Sequence, residues 1–159
     1  MNQVRLKELL HYDPETGIFT RKVTTSSNAK AGQVAGFDKP GGYSHIRADG
    51  IQYKSHRLEW LYMTGEWPKF EIDHIDNNPH NNRWANLREA TGSENCCNRP
   101  SKVGVLGVRC VTPHGSGFNV QIGKGMRRYR KKFKTLEEAV EWAEFVRAEL
   151  HGEFAHAQI

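Results

Sequence analysis

The clearest structural pattern in the chain lies near its carboxyl end, where strand-like runs separated by glycine turns precede one amphipathic helix. Thr135 and Glu138 form a capping box for a helix from Leu136 to about His151. Apolar residues recur along this helix at helical spacing: Leu136, Ala139, Val140, Ala143, Val146 and Leu150. The preceding runs are LGVRCVT, GFNVQIG and RRYRKKFK, with the turns HGSG and GKG between them. The pattern predicts a small three-stranded antiparallel sheet packed on one helix.

Charge is unevenly distributed along this chain of 159 residues, whose formal net charge is +5. The segment from Ser101 to Lys134 contains nine basic residues and no acidic one, whereas Glu137 to Glu149 is mostly acidic. A charge run usually marks a solvated face. Here the basic residues alternate with the aromatic residues Phe118, Tyr129 and Phe133, which is typical of a packed surface that faces phosphates. We therefore expect a nucleic acid as the partner.

The length and the 37% hydrophobic content allow one ordinary domain or two small ones. We place a boundary between Asn98 and Lys102, which gives domains at 1–99 and 100–159. Three cysteines, two of them adjacent at Cys96 and Cys97, form neither a disulfide framework nor a paired zinc motif. This cysteine usage predicts a reducing intracellular setting. No membrane insertion is expected, because no run of about 18 apolar residues occurs.

The residues before Glu71 predict a leader of short elements. VRLKELL forms a short amphipathic helix, and YDPETGIFTRK is a turn followed by a strand. Asp49-Gly50 lies within an alternating segment and signals a hairpin. RLEWLYMTG then has helical spacing, with Leu58, Leu61 and Tyr62 on one side and Gly65 as the stop.

Asp73 and His74 adjoin one another in an extended segment, so their side chains are expected on opposite sides of the strand. Hydrolysis of a phosphodiester needs an activated water, a cation that neutralises the phosphate, and stabilisation of the departing oxygen. A histidine beside metal-binding oxygens can meet these needs. Asn86 and Asn95 follow at spacings that return the chain to the same cleft if a hairpin loop and a helix intervene.

The segment EIDHIDNNPHNNRWANLREATGSENCCN resembles the HNH nuclease motif of phage and intron-encoded homing endonucleases, with its D-H, N-L-R and S-x-N elements in order. The upstream YDPETG, GGY and HRLEWLYMTGEWP are similar to the leader of phage members, so the resemblance covers most of residues 9–99. It implies that Asp73 and Asn95 bind one divalent metal, that His74 is the general base, and that Asn86 orients the histidine-bearing loop. Oxygen ligands favour Mg²⁺ or Mn²⁺. The last H of the family name stands for a histidine, and Asn95 occupies that position in this sequence.

Each of these residues also has an ordinary structural interpretation. Asp73 could be a turn or cap residue, His74 a surface imidazole, and the asparagine-rich loop a polar connection. The D-H, N-L-R and S-x-N elements rarely occur together and in this order by chance. Their combination therefore favours the nuclease. His56 and His80 are left as either structural or substrate-adjacent.

The carboxyl-terminal segment resembles the Apetala-two type DNA-binding domain, known from plant transcription factors and from fusions to phage HNH nucleases. Its G-V-R, F-x-T-x-E-E-A and H-G-E-F-A elements carry the resemblance. In that family a three-stranded sheet lies in the DNA major groove and is backed by the helix. Strand alternation predicts a DNA-facing set that suits phosphates and base edges: Arg109, Asn119, Gln121, Arg128, Arg130 and Lys132.

The predicted fold is α+β, a ββα-metal (HNH) module followed by the small sheet and helix. The predicted function is a site-preferring DNA endonuclease of the homing type that uses one divalent metal and His74 as general base. The expected partner is double-stranded DNA. A monomer that nicks one strand is expected, in the cytoplasm of a bacterial host if the chain is phage-encoded. Two alternatives stay open: a non-catalytic DNA-binding regulator, and an unspecific toxin-type HNH nuclease.

Overall fold

The computed structural model describes residues 1–39, 42–98, 106–124 and 126–155. The chain divides into two compact units, Met1–Thr91 and Gly92–Ile159. Most of the predicted boundary between Asn98 and Lys102 lies outside the described residues, so that boundary stays a prediction. Within the described ranges no helix is long and apolar enough to cross a membrane. The mixed α/β class agrees with the sequence-based expectation.

The first unit is built from short strands and two helices. The helices are α1 (Gln3–Leu9) and α2 (Ser55–Thr64). The strands are β1 (Leu10–Asp13), β2 (Ile18–Arg21), β3 (Val34–Ala35), β4 (Phe37–Asp38), β5 (Ser44–Ala48), β6 (Ile51–Lys54), β7 (Glu71–His74) and β8 (Leu87–Ala90). They form three antiparallel sheets with the orders β1-β2-β3, β4-β5-β6 and β7-β8.

Local chemistry explains where the elements of the first unit begin and end. The Asn2 side chain accepts a hydrogen bond from the Arg5 amide and caps α1. Asp49 and Gly50 have φ values of 49° and 78°, the positive angles that a two-residue hairpin turn between β5 and β6 requires. Gly65 ends α2 at a φ of 87°, as predicted from the sequence.

One apolar core holds the leader elements together. Tyr12 and Phe19 face each other across β1 and β2, with ring centroids 5.0 Å apart, and Tyr62 of α2 packs edge-on against both rings. The buried aliphatic members come from both helices and the first two sheets: Leu6, Leu9, Leu10, Ala35, Ile46, Ala48, Leu58 and Leu61. The hydrophobic effect therefore fixes β1 and β2 against α2.

The second unit contains helix α3 (Gly92–Asn98), strands β9 (Val111–His114), β10 (Gly117–Lys124) and β11 (Arg127–Phe133), and helix α4 (Leu136–His151). The strands pair antiparallel in the order β11-β10-β9. The Thr135 side chain caps α4 by accepting a hydrogen bond from the Glu138 amide. The core of the second unit joins the sheet to α4 and consists of Val111, Val120, Ile122, Ala139, Ala143 and Val146.

The first strand of this sheet differs from the prediction. Gly107 and Cys110 have positive φ values, which an extended strand does not tolerate, so β9 begins only at Val111. Arg109 therefore lies in the preceding turn and its side chain is 7% exposed. The expectation that Arg109 shares the exposed outer face of the sheet is wrong.

Candidate active site

Strand β7 carries the two adjacent residues that the sequence singles out. Asp73 and His74 are 5% and 6% exposed, and their side chains contact different partners. In the antiparallel pair with β8, Asp73 lies opposite Arg88 and His74 opposite Leu87. The short sheet thus fixes the backbone of both residues, which is the first requirement of a preorganised site.

Asp73 forms a close ion pair with Arg88. The Arg88 Nε atom donates to Asp73 Oδ2 at 2.9 Å, and Nη2 lies 2.9 Å from the same oxygen. Both side chains are largely buried, so water screens this pair less than it screens a surface pair. The contact holds the carboxylate in one orientation.

His74 lies in a small cluster of polar and aromatic side chains. Its Nε2 atom is 2.9 Å from Oδ1 of Asn82, within hydrogen-bond distance. The His56 ring meets it edge-on with a centroid distance of 5.3 Å, and the Tyr43 ring lies 6.2 Å away. Burial, followed by the neighbouring His74, lowers the pKa of His56 to about 3. His56 is therefore a neutral ring at the side of His74 near neutral pH.

Asn86 fastens the loop that follows His74. Its Nδ2 donates to Asp76 Oδ1 at 2.9 Å and to the Asn81 carbonyl at 2.7 Å. Its Oδ1 accepts from the Asp76 amide at 3.0 Å, and its carbonyl accepts from the Ile75 amide. Burial tends to raise the pKa of Asp76, but the hydrogen bonds from Asn81, the Asn78 amide and Asn86 outweigh it and lower that pKa. These contacts tie Asn86 to both ends of the segment from Asp76 to Asn81.

The leader hairpin, which is formed by β1 and β2, contacts the same loop. The Tyr12 hydroxyl donates to the Asn82 carbonyl at 2.8 Å, and the Trp84 amide donates to the Pro14 carbonyl at 3.1 Å. Gly17 has a φ of 74°, and a Cβ atom there would collide with the main chain of Asn82. Only glycine allows this approach. The sequence alone does not predict that Tyr12 and Gly17 contact Asn82, because both lie 65 or more residues before it.

A cavity of about 280 Å³ lies beside these contacts. Its lining includes Asn82, His80 and Glu59. The Glu59 carboxyl is 0% exposed, and neither of its oxygens has a hydrogen-bond partner among the described residues. Burial raises the pKa of Glu59 well above its ordinary value. His80 lies at the exposed margin, 3.5 Å from the Asp38 carboxylate.

The residues implied as metal ligands offer hard oxygen donors. Asp73 lies in the first unit and supplies a carboxylate, whereas Asn95 lies on α3 of the second unit and supplies a half-buried amide. Among the described residues no group of three or more His, Cys, Asp or Glu side chains could hold a metal by itself. Mg²⁺ and similar ions need no such cage, because they bind through one or two protein oxygens together with waters and substrate phosphates. Each of these two oxygen donors, taken by itself, is of the type that a hard divalent cation prefers.

In the second unit, β10 and β11 bring most of the predicted DNA-facing residues to one face. Asn119 lies opposite Lys132, Gln121 opposite Arg130, and Gly123 opposite Arg128. Arg128, Arg130, Lys132 and Gln121 are exposed, and Asn119 is half-buried. The alternate positions Val120 and Ile122 pack on α4. The outer face of this strand pair therefore carries three cations and two amides.

The comparisons with known proteins concern the segment that carries the candidate site residues. A family model described as HNH endonuclease matches residues 53–96, a range that contains Asp73, His74, Asn86 and Asn95. The chain is 34% identical over 102 residues to an uncharacterized HNH endonuclease of Acanthamoeba polyphaga mimivirus, covering 63% of this chain and 54% of that protein. It is 32% identical over 107 residues to Protein 3.8 of Escherichia phage T7, covering 64% of this chain and 88% of that one. No solved structure matches.

The chain belongs to the HNH endonuclease family. It spans about half the length of the mimivirus relative and most of the length of the phage protein.

Proposed function

We propose that this protein is a DNA endonuclease in which His74 is the general base that activates water for attack on a phosphodiester. The observation that carries the proposal is the pair Asp73 and His74, held side by side on a short buried strand within the segment that matches the HNH model. A base aligned in this way contributes about 10² to 10⁴-fold to the rate.

Asp73 and Asn95 are the proposed ligands of one divalent cation, Mg²⁺ or Mn²⁺. When bound, such an ion neutralises charge on the phosphate and on the departing oxygen. Arg88 orients the Asp73 carboxylate through their 2.9 Å contacts. Asn86 keeps the loop after His74 in place through Asp76 and Asn81.

The second unit is the proposed DNA-gripping module of the Apetala-two type, which would give the enzyme the site preference of a homing endonuclease. Its basic outer face supports this role through Asn119, Gln121, Arg128, Arg130 and Lys132. Arginine, lysine, asparagine and glutamine are the residues that most often contact phosphates and purine edges. Arg109 is left out of this set because its side chain is buried.

A plasmid-nicking assay in Mg²⁺ tests the nuclease. The wild-type chain should convert supercoiled plasmid to the nicked form, and His74→Ala should lose about 10²-fold or more of that rate. His11→Ala is the matched control, because His11 is exposed on β1 and contacts no site residue among those described. A wild-type chain that leaves the plasmid intact would contradict the nuclease and favour the alternative of a non-catalytic DNA-binding regulator. Equal activity of His74→Ala and wild type would remove His74 from the mechanism.

A metal titration of the same reaction tests the ligands. Asp73→Ala and Asn95→Ala should both raise the metal concentration needed for half-maximal cleavage, and Asp73→Ala should raise it more, because only the carboxylate brings negative charge to the cation. Unchanged metal dependence in both variants would contradict the assignment.

A further inference from the structure

The contact between His74 and Asn82 determines which nitrogen of the imidazole carries a proton. Asn82 Oδ1 lies 2.9 Å from His74 Nε2, and an amide oxygen can only accept a hydrogen bond. Nε2–H is therefore the donor. A neutral imidazole has one N–H, so the nitrogen that can take up a proton is Nδ1.

Asn82 is itself held by main-chain contacts that leave its side chain little freedom. Its carbonyl accepts from the Tyr12 hydroxyl at 2.8 Å, and its amide donates to the His80 carbonyl at 3.1 Å. The main chain at Gly17 packs directly against it. The Asn82 side chain is 6% exposed, so water competes little for its oxygen. These contacts hold Asn82 in a fixed position beside the His74 ring.

The aromatic neighbours of His74 limit the other motions of its ring. His56 meets the ring edge-on at an interplanar angle of 89°, and Tyr43 packs against both histidines. These rings restrict where the imidazole can tilt, while Asn82 restricts its rotation. Asn86 does not share this task, because its side-chain contacts go to Asp76 and Asn81.

We propose that Asn82 is a positioning residue for cleavage, which holds the His74 imidazole in the Nε2–H tautomer and presents Nδ1 to the attacking water. This inference rests on the proposed function for its catalytic consequence. The leader hairpin then has a direct part in catalysis, since Tyr12 and Gly17 fix the main chain of Asn82. Groups that orient a reacting side chain in this way are typically worth about 10- to 100-fold in activity.

Two measurements on the full chain test the inference. Two-dimensional NMR that correlates the imidazole nitrogens with the ring protons reports the tautomer of His74, with assignment from the His74→Ala spectrum. Steady-state nicking kinetics are compared for wild type, Asn82→Ala and Asn82→Asp, with Asn28→Ala as the control because Asn28 is exposed in a polar loop. Circular dichroism and thermal melting show which variants are folded.

The wild-type spectrum should show the proton of His74 on Nε2. Asn82→Ala should lower kcat by about 10- to 100-fold with KM within about twofold and should give a mixture of tautomers. Asn82→Asp keeps an acceptor oxygen and should restore both the tautomer and most of kcat. A wild-type proton on Nδ1 would overturn the inference even if Asn82→Ala did not fold. A folded Asn82→Ala chain with normal kcat, or with only KM raised, would overturn it as well. If the wild-type chain cuts no DNA, the proposed function fails, while the spectrum still decides the orientation of the ring.

Discussion

The phenol hydroxyl of Tyr12 donates a hydrogen bond of 2.8 Å to the main-chain carbonyl of Asn82, across 70 positions of the sequence. Tyr12 belongs to the leader core with Phe19 and Tyr62, and Asn82 belongs to the loop that contacts His74. This buried hydrogen bond thus connects the leader to the candidate active site. Burial, followed by the nearby Glu59, raises the pKa of Tyr12, so the hydroxyl stays protonated and available as a donor.

Tyr12→Phe should destabilise the fold by about 1 kcal/mol, because it leaves the Asn82 carbonyl without this donor while the ring still fills the core. Urea unfolding followed by circular dichroism measures the effect. Tyr53→Phe is the matched control, since the Tyr53 ring stacks on Trp67 and its hydroxyl donates to no residue that the structure describes. If Tyr12→Phe lowers the free energy of unfolding no more than Tyr53→Phe does, the hydrogen bond from Tyr12 to Asn82 contributes nothing to stability.

Glu59→Gln should stabilise the fold at neutral pH. The Glu59 carboxyl has a raised pKa in the folded chain, whereas in the unfolded chain it ionises near its ordinary value of 4.5. The folded state therefore holds a proton that the unfolded state releases as the pH rises above about 4.5. Its stability decreases from that pH towards the folded pKa by up to about 1.4 kcal/mol per pH unit. Glutamine is neutral at every pH and removes this loss.

Urea unfolding of wild type and Glu59→Gln at about pH 4 and about pH 7 checks the sign. The difference in free energy of unfolding should be small at the lower pH and should favour the variant at the higher one. Glu15→Gln controls for charge alone, because Glu15 is exposed in the turn after β1. A difference that does not change with pH would show that Glu59 ionises in the folded chain.

Much of the fold follows from local signals that the sequence carries openly. The bounds of α4, the turn at Asp49-Gly50 and the end of α2 at Gly65 each depend on residues within one or two turns of the chain. The Asp73 and His74 pair was equally visible, because adjacent residues on a strand keep their relation in any fold. Alternation also predicted which residues of β10 and β11 share the outer face.

The orientation of His74 could not be predicted, since the loop contains four similar asparagines at positions 77, 78, 81 and 82, and only tertiary contacts distinguish them. Asn82 is selected by Tyr12 and Gly17, which lie far away in sequence. The predicted position of Arg109 on the outer face was wrong for another reason. Its neighbours Gly107 and Cys110 take positive φ values, which break the alternation that the prediction assumed.

Arg88→Met should destabilise the fold by about 3 kcal/mol, because it removes the guanidinium beside the buried Asp73 carboxylate while that charge remains. The double variant Asp73→Asn with Arg88→Met should recover part of the loss, since no charge then needs a partner. A double-mutant cycle by urea unfolding gives the coupling between the two residues. Coupling below about 0.5 kcal/mol would mean that the pair does not orient Asp73.

Lys132 and Lys131 are adjacent on β11 but face opposite sides of the sheet, which makes them a matched pair for testing the DNA-binding face. Lys132 lies opposite Asn119 on the outer face, whereas Lys131 lies opposite the buried Val120, with its Nζ atom 5.7 Å from the centre of the Trp142 ring of α4. If the outer face contacts phosphates, binding should weaken steeply with salt, because each neutralised phosphate releases counterions. Lys132→Ala should reduce the slope of log affinity against log salt by about 1, and Lys131→Ala should leave it unchanged. Gel-shift titrations at several salt concentrations measure both slopes, using chains that also carry His74→Ala so that the DNA stays intact. Equal slopes for the two variants would contradict a DNA-binding role for this face of the sheet.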